Sequence, residues 1–224
     1  IMSAYYPDTT VWMSDFTYHS GDPMLEFYFS SPAYDTYPVV GVSWDAAKYF
    51  CLWRSKMMND YRKKQNMYNL PRFELPSESE WEWAARGGRA SLKYPWGSPY
   101  VANAKGCLMA NFKPHRGNYD ADGYSYTAPA ASFFPNEFGL YNMAGNVAEW
   151  CEDAYSDNAV AVTWDLNTVN KDPDEPRKVT RGGSWKDIAY YLETGTRAYE
   201  LQNKKRAYIG FRCSMRYLGR AASK

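Results

Sequence analysis

The sequence predicts an α+β domain with little regular secondary structure, and three observations carry that fold class. Two stretches open with strong helix-capping signals, at Ser43 and at Ser77. Short β-type runs separated by turn formers recur after residue 178. Around them lie long stretches with neither a 3.6-residue nor a two-residue hydrophobic period.

Composition narrows the function classes. The chain has 224 residues, enough for a single core. Twenty-six basic residues against twenty-five acidic leave a net charge of +1, so no global field draws the chain to nucleic acid or anionic lipid. Aromatic residues make up 18%, with nine Trp and twenty-one Tyr, yet the mean hydropathy is negative. Many of these rings must therefore act as polar-tipped packing units. No run approaches the roughly 18 apolar residues of a membrane span, and no signal peptide is visible. The start at Ile1-Met2 suggests a processed product or a fragment. Cys51, Cys107, Cys151 and Cys213 form no C-x-x-C pair and are accompanied by only two histidines, which argues against structural zinc. Their wide spacing suits either two long-range disulfides or four buried thiols.

Taken in order, residues 1–37 carry turn formers such as Pro7-Asp8, Gly21-Asp22-Pro23 and Ser31-Pro32 among many aromatic rings. Such a segment reads as a meander laid over a core, because linkers lack that many rings. Residues 39–42 form a short β-type run. Ser43 as N-cap, Asp45 in the first turn and Arg62, Lys63 and Lys64 at the end frame a helix over 43–65. Ala47, Phe50, Cys51, Met57, Met58 and Tyr61 follow near helical spacing and make it amphipathic, with Cys51 on the apolar face. Ser77 and Glu80 match a capping box for a second helix, which Gly87-Gly88 stops. Residues 94–97 form an aromatic turn.

Residues 107–129 are irregular and rich in oxygen donors, among them Asn111, Asn118, Asp120, Asp122 and Tyr124. Asp120-Ala121-Asp122-Gly123 is half of an EF-hand loop without the downstream bidentate Glu. The stretch 138–150 offers the Asn142 amide, a glycine turn at Gly145 and the Glu149 carboxylate, oxygen donors suited to a hard cation, with Trp150 as anchor. Taken alone it equally describes a turn followed by a short buried helix. Residues 152–178 read as a polar surface excursion, and strands are expected at 179–185, 195–199 and 208–215. The paired glycines of Arg181-Gly182-Gly183-Ser184-Trp185 permit close backbone approach or a bulge.

Several separated motifs fall into one order: Pro38-Val39-Val40-Gly41-Val42-Ser43-Trp44, residues 75–88, Tyr94-Pro95-Trp96-Gly97, residues 139–150, Arg181-Gly182-Gly183-Ser184-Trp185 and Gly210-Phe211-Arg212. This set resembles the formylglycine-generating enzyme (sulfatase-modifying factor) family over about residues 38–216. The resemblance implies a C-type-lectin-like α+β fold, with residues 1–37 as an added segment packed on the domain or belonging to a larger one, and 217–224 as a frayed tail. Active members oxidise a substrate cysteine with copper held by two cysteines, the thiolates that Cu(I) requires. The corresponding positions here are Asp187 and Leu192, so the resemblance implies that no copper is held and that the oxidase chemistry is absent. It places structural calcium on Asn111 and Asp122 with backbone oxygens of Phe112 and Tyr124. A second calcium falls on Asn142 and Glu149 with backbone oxygens of Gly145 and Val147. It also suggests a Cys51–Cys213 disulfide, and Cys107 with Cys151 remains as a second pairing.

Within that family, residues 7–12, 31–42 and 179–192 are most similar to the GldK/PorK lipoproteins of the type IX secretion and gliding machinery. That likeness implies a non-catalytic structural subunit on the periplasmic face of the outer membrane, anchored by a lipid attached upstream of Ile1. Its expected partners are ring neighbours of its own kind, a GldN/PorN-type ring partner and other secretion components. The competing readings are a copper-dependent formylglycine-generating oxidase and a calcium-dependent glycan- or peptidoglycan-binding module.

Overall fold

The structure, a computed structural model, describes residues 5–15, 23–114, 117–159, 169–217 and 219. Two short helices, α1 (Val11–Ser14) and α2 (Pro23–Phe27), precede the long helix α3 (Trp44–Lys64). A two-residue strand β1 (Phe73–Glu74) leads to helix α4 (Glu78–Ala85). Among the described residues no strand or helix then occurs before β2 (Ala148–Ala154), which is followed by β3 (Arg177–Arg181), β4 (Ala198–Leu201), β5 (Ile209–Gly210) and β6 (Ser214–Met215). One sheet has the order β4-β3-β2-β5, antiparallel except for the parallel β2–β5 pair, and β1 pairs with β6.

Both helix starts follow their capping signals. The Ser43 hydroxyl accepts from the Ala46 N–H at 3.2 Å. At α4 the box closes in both directions, Glu80 N–H to Ser77 Oγ and Ser77 N–H to Glu80 Oε2. Gly87 and Gly88, at φ +59° and +80°, end α4 in the left-handed region that suits glycine. The Tyr94 and Trp96 rings stack at 4.9 Å in the expected aromatic turn.

Other expectations are corrected. Cys51 faces inward on α3, but its buried neighbours are the small residues Ala47 and Ser55, while Phe50, Met57 and Tyr61 are exposed. Small residues let α3 approach β1 and Trp150 closely, and the large ones are left on the outer side. Residues 39–42 pair with no strand: the Gly41 N–H bonds to the Arg206 carbonyl, and Val40 and Val42 are buried by packing. The stretch around Trp150 is a strand, β2, buried along most of its length, and its mix of acidic Glu149, Glu152 and Asp153 with apolar residues gives no two-residue alternation to mark a strand. The strand expected at 179–185 is β3, which begins at Arg177 and ends where the two glycines turn the chain. Residues 160–168 of the expected excursion lie outside the described residues.

Among the described residues four apolar clusters fill the interior. Val11, Trp12, Met24 and Tyr28 share one of them with Val40, Val147, Trp185 and Ala207. Trp150 and Ile209 sit with Cys51 and Leu75 beneath α3, and Trp81 packs on Met143, Cys151 and Val179. Tyr94, Ala110, Phe112, Ala144 and Leu192 complete the set under the irregular loops.

Candidate functional site

The loops around β2 and the end of β3 converge on the Arg181–Trp185 turn. Gly182 and Gly183 adopt φ +91° and +67°. A Cβ on Gly182 would stand 2.9 Å from the Trp81 ring, and one on Gly183 would stand 2.9 Å from the Tyr191 backbone. Both contacts lie below van der Waals separation, so only glycine lets the two segments meet. Arg181, fully buried, pairs with Glu82 and donates to the Thr194 and Thr196 carbonyls. Next to the turn lies a small cavity of about 210 Å³ lined by Gly183, Asp187, Tyr191, Tyr199 and Tyr208. Lys186 and Tyr208 also border a larger cleft of about 820 Å³ whose walls include Trp185, Tyr126, Asp15 and Arg206. The Lys186 ammonium stands 3.3 Å from the Tyr208 ring centroid. Burial lowers the Lys186 pKa and pushes the Tyr208 phenol up to about 12.

Asp187 caps its own turn: Oδ2 accepts from the Ser184 N–H at 3.0 Å and from the Ser184 hydroxyl at 2.6 Å. Leu192 is fully buried against Tyr94 and Phe112. One position thus offers a hard oxygen already engaged and the other no donor atom, so the residues present do not fit a Cu(I) site.

The first calcium set is drawn together. The Phe112 and Tyr124 N–H groups both donate to the Asp122 carboxylate, at 2.8 and 3.1 Å. Asn111, 1% exposed, spends its Nδ2 on the Tyr126 carbonyl, which leaves Oδ1 buried without a hydrogen-bond partner among the described residues. An orphaned buried acceptor beside a half-buried carboxylate fits a hard cation. The second set fits less well. Asn142 donates to the Pro129 and Ala130 carbonyls, and both Glu149 oxygens are engaged. Arg212 grips Glu149 through Nε at 2.5 Å and Nη2 at 2.6 Å, and the Trp81 indole adds a third donor at 2.7 Å. The positive charge a cation would bring to Glu149 is already there.

Sequence reasoning missed Asn146, whose amide donates to and accepts from the Ala128 backbone while its N–H takes the Asn111 carbonyl. Its Ala144-Gly145-Asn146-Val147 neighbourhood reads as an ordinary turn, and only its burial betrays the clasp. The Cys51 and Cys213 sulfurs lie 3.4 Å apart. Cys107 and Cys151 are not brought together. Cys151 is fully buried under Trp81, whereas Cys107 is exposed on a turn held by the Asn103 side chain.

Comparison with known proteins gives this arrangement its relatives. Residues 23–217 match the sulfatase-modifying factor enzyme 1-like domain. The formylglycine-generating enzyme of Thermomonospora curvata is 34% identical over 188 residues, covering 80% of this chain and 55% of that protein. The inactive C-alpha-formylglycine-generating enzyme 2 of Bos taurus is 32% identical over 184 residues, covering 80% and 50%. The chain thus spans about half the length of the curated relatives it matches. Among solved structures, Treponema denticola variable protein 1 aligns with a TM-score of 0.64 at 26% identity, over 84% of this chain and 74% of that one. PvdO from Pseudomonas aeruginosa aligns at 0.61 and 27% identity, over 80% and 61%. With that domain matched over residues 23–217 and its glycine turn and buried Arg181 in place, the chain belongs to the sulfatase-modifying factor family.

Proposed function

We propose that this chain is a non-catalytic structural subunit that uses the enzyme fold for assembly, in the periplasmic ring of a type IX secretion and gliding machinery at the outer membrane. The observation that carries the first half is the pair of copper positions. Asp187 is spent on capping its own turn, and Leu192 is spent on the core. A family member named as inactive supports the idea that the fold serves without the oxidase reaction. The second half rests on the likeness of residues 7–12, 31–42 and 179–192 to ring lipoproteins. In this reading calcium has a structural role. Asn111 and Asp122, with the Phe112 and Tyr124 carbonyls, would hold it, and the charge would brace the loops beneath the Arg181–Trp185 turn.

The purified chain is expected to bind no Cu(I) and to leave a Cys-x-Pro-x-Arg peptide unoxidised. Mixed with the second ring subunit, it is expected to form large rings visible by electron microscopy. Turnover of the peptide, or isolated monomers in that mixture, would overturn the reading.

A further inference from the structure

Helix α3 turns its aromatic side away from the protein. Tyr49, Trp53, Met57 and Tyr61 follow one another at four-residue spacing opposite the buried Ala47, Cys51 and Ser55. With Phe50 beside them they are between 40% and 60% exposed. The row runs along a helix about 31 Å long, and Tyr5 extends it by stacking on Tyr49 at 4.3 Å. At four-residue spacing these side chains form a single ridge. At 100° per residue, Arg54 falls on one margin and Lys56 and Lys63 on the other, with Lys64 at the C-terminal end. The one acid within the stripe, Asp60, is tied to Lys56 at 2.6 Å. The helix has six basic side chains against two acidic ones, so it carries +4 and the remainder of the chain −3.

A near-neutral chain therefore hides a basic, aromatic strip. Protein–protein interfaces are enriched in aromatic residues and Met but depleted in Lys. Trp and Tyr at the centre with Lys and Arg at the margins is instead the pattern of helices lying in a membrane interface, where rings sit at headgroup level and cationic stems reach the phosphates. We propose that the outer face of α3 rests on the surface of a bilayer containing anionic phospholipid. Among the described residues no helix is long and apolar enough to cross a membrane, so the contact is superficial. The inference does not rest on the ring reading, because its test uses lipid and no second subunit.

The test is cosedimentation of the purified 224-residue chain with vesicles of phosphatidylcholine, with and without phosphatidylglycerol. Binding is expected to the anionic vesicles and to weaken at about 0.5 M salt, where surface charge is screened. Trp53→Ala with Tyr61→Ala, and separately Lys63→Glu with Lys64→Glu, are each expected to weaken it about tenfold or more. Trp83→Ala, which removes an exposed ring on α4, should bind like the parent. Circular dichroism checks that each variant is folded. Equal binding to neutral vesicles, or stripe variants that bind like the parent, would overturn the proposal. So would a dimer in light scattering that Trp53→Ala dissociates, since the stripe would then belong to a second copy.

Discussion

Asn111 and Glu149 face the same physical problem, a buried oxygen in need of positive charge, and solve it differently. Glu149 has Arg212, whose pKa burial alone would lower but which the carboxylate holds above its ordinary value. Glu149→Gln would leave the guanidinium without its counter-charge, and the loss should be about 3 kcal/mol in urea unfolding, the range for breaking a buried pair. Among the described residues Asn111 Oδ1 has no donor. Adding calcium to chelator-treated protein is expected to raise the melting temperature by several degrees through linkage. Asn111→Ala should abolish that rise, and a parent protein indifferent to calcium would remove the assignment. The sequence made these oxygen donors visible as residue types. It could not show that Arg212, more than sixty positions away, had already claimed Glu149, because an ion pair across the chain leaves no periodic trace.

Elements are pinned to one another by a few polar links. Cys51 on α3 and Cys213 just before β6 hold their sulfurs 3.4 Å apart, close enough for oxidation to join them after small side-chain rotations. The bond would close a loop of about 160 residues, worth at most about 5 kcal/mol in the chain-entropy model. Alkylation of denatured, unreduced protein is expected to modify two of the four cysteines, Cys107 and Cys151. Four modified thiols would count against the bond. Asp153 on β2 accepts from the Glu78 N–H at the start of α4 and from the Asn170 N–H in the following excursion. Burial nevertheless pushes its carboxyl up to about 6. Its folded-state pKa thus lies above the unfolded value of about 3.9, and the folded protein holds the proton more tightly. Stability should therefore fall as pH rises from 4 to 6, on the order of 2 kcal/mol, and Asp153→Asn should flatten that slope in unfolding curves. The helix starts were legible because capping is local, Ser43 bonding three residues on and Ser77 reciprocally with Glu80. β2 was not, because β3 and β5 bury it and strip away its alternation.

For the molecule as a whole, the sequence suggests a segment over residues 1–37 packed on the domain, and its described residues share a core cluster with Val40, Val147, Trp185 and Ala207. Trp12, 2% exposed, stacks on Trp185 of the glycine turn at 6.3 Å and meets Tyr126 edge-on at 5.8 Å. Asp15 accepts the Ala207 N–H at 2.7 Å and pairs with Arg206, fixing the loop before β5. The Gly41 N–H takes the Arg206 carbonyl, so the start of the chain and its last third close around the same point. Such contacts are long in sequence and invisible to pattern reading, which sees only turn formers and scattered rings. They also predict cooperativity. Trp12→Ala should cost about 3–5 kcal/mol, the usual toll of emptying a large buried ring site, and should shift unfolding monitored anywhere in the chain by the same amount. A chain starting at residue 38 would expose Trp185, Val40 and Val147 together and is expected to lose its sharp thermal transition. A truncated protein that melts as cooperatively as the parent would show instead that the first segment is an independent cover.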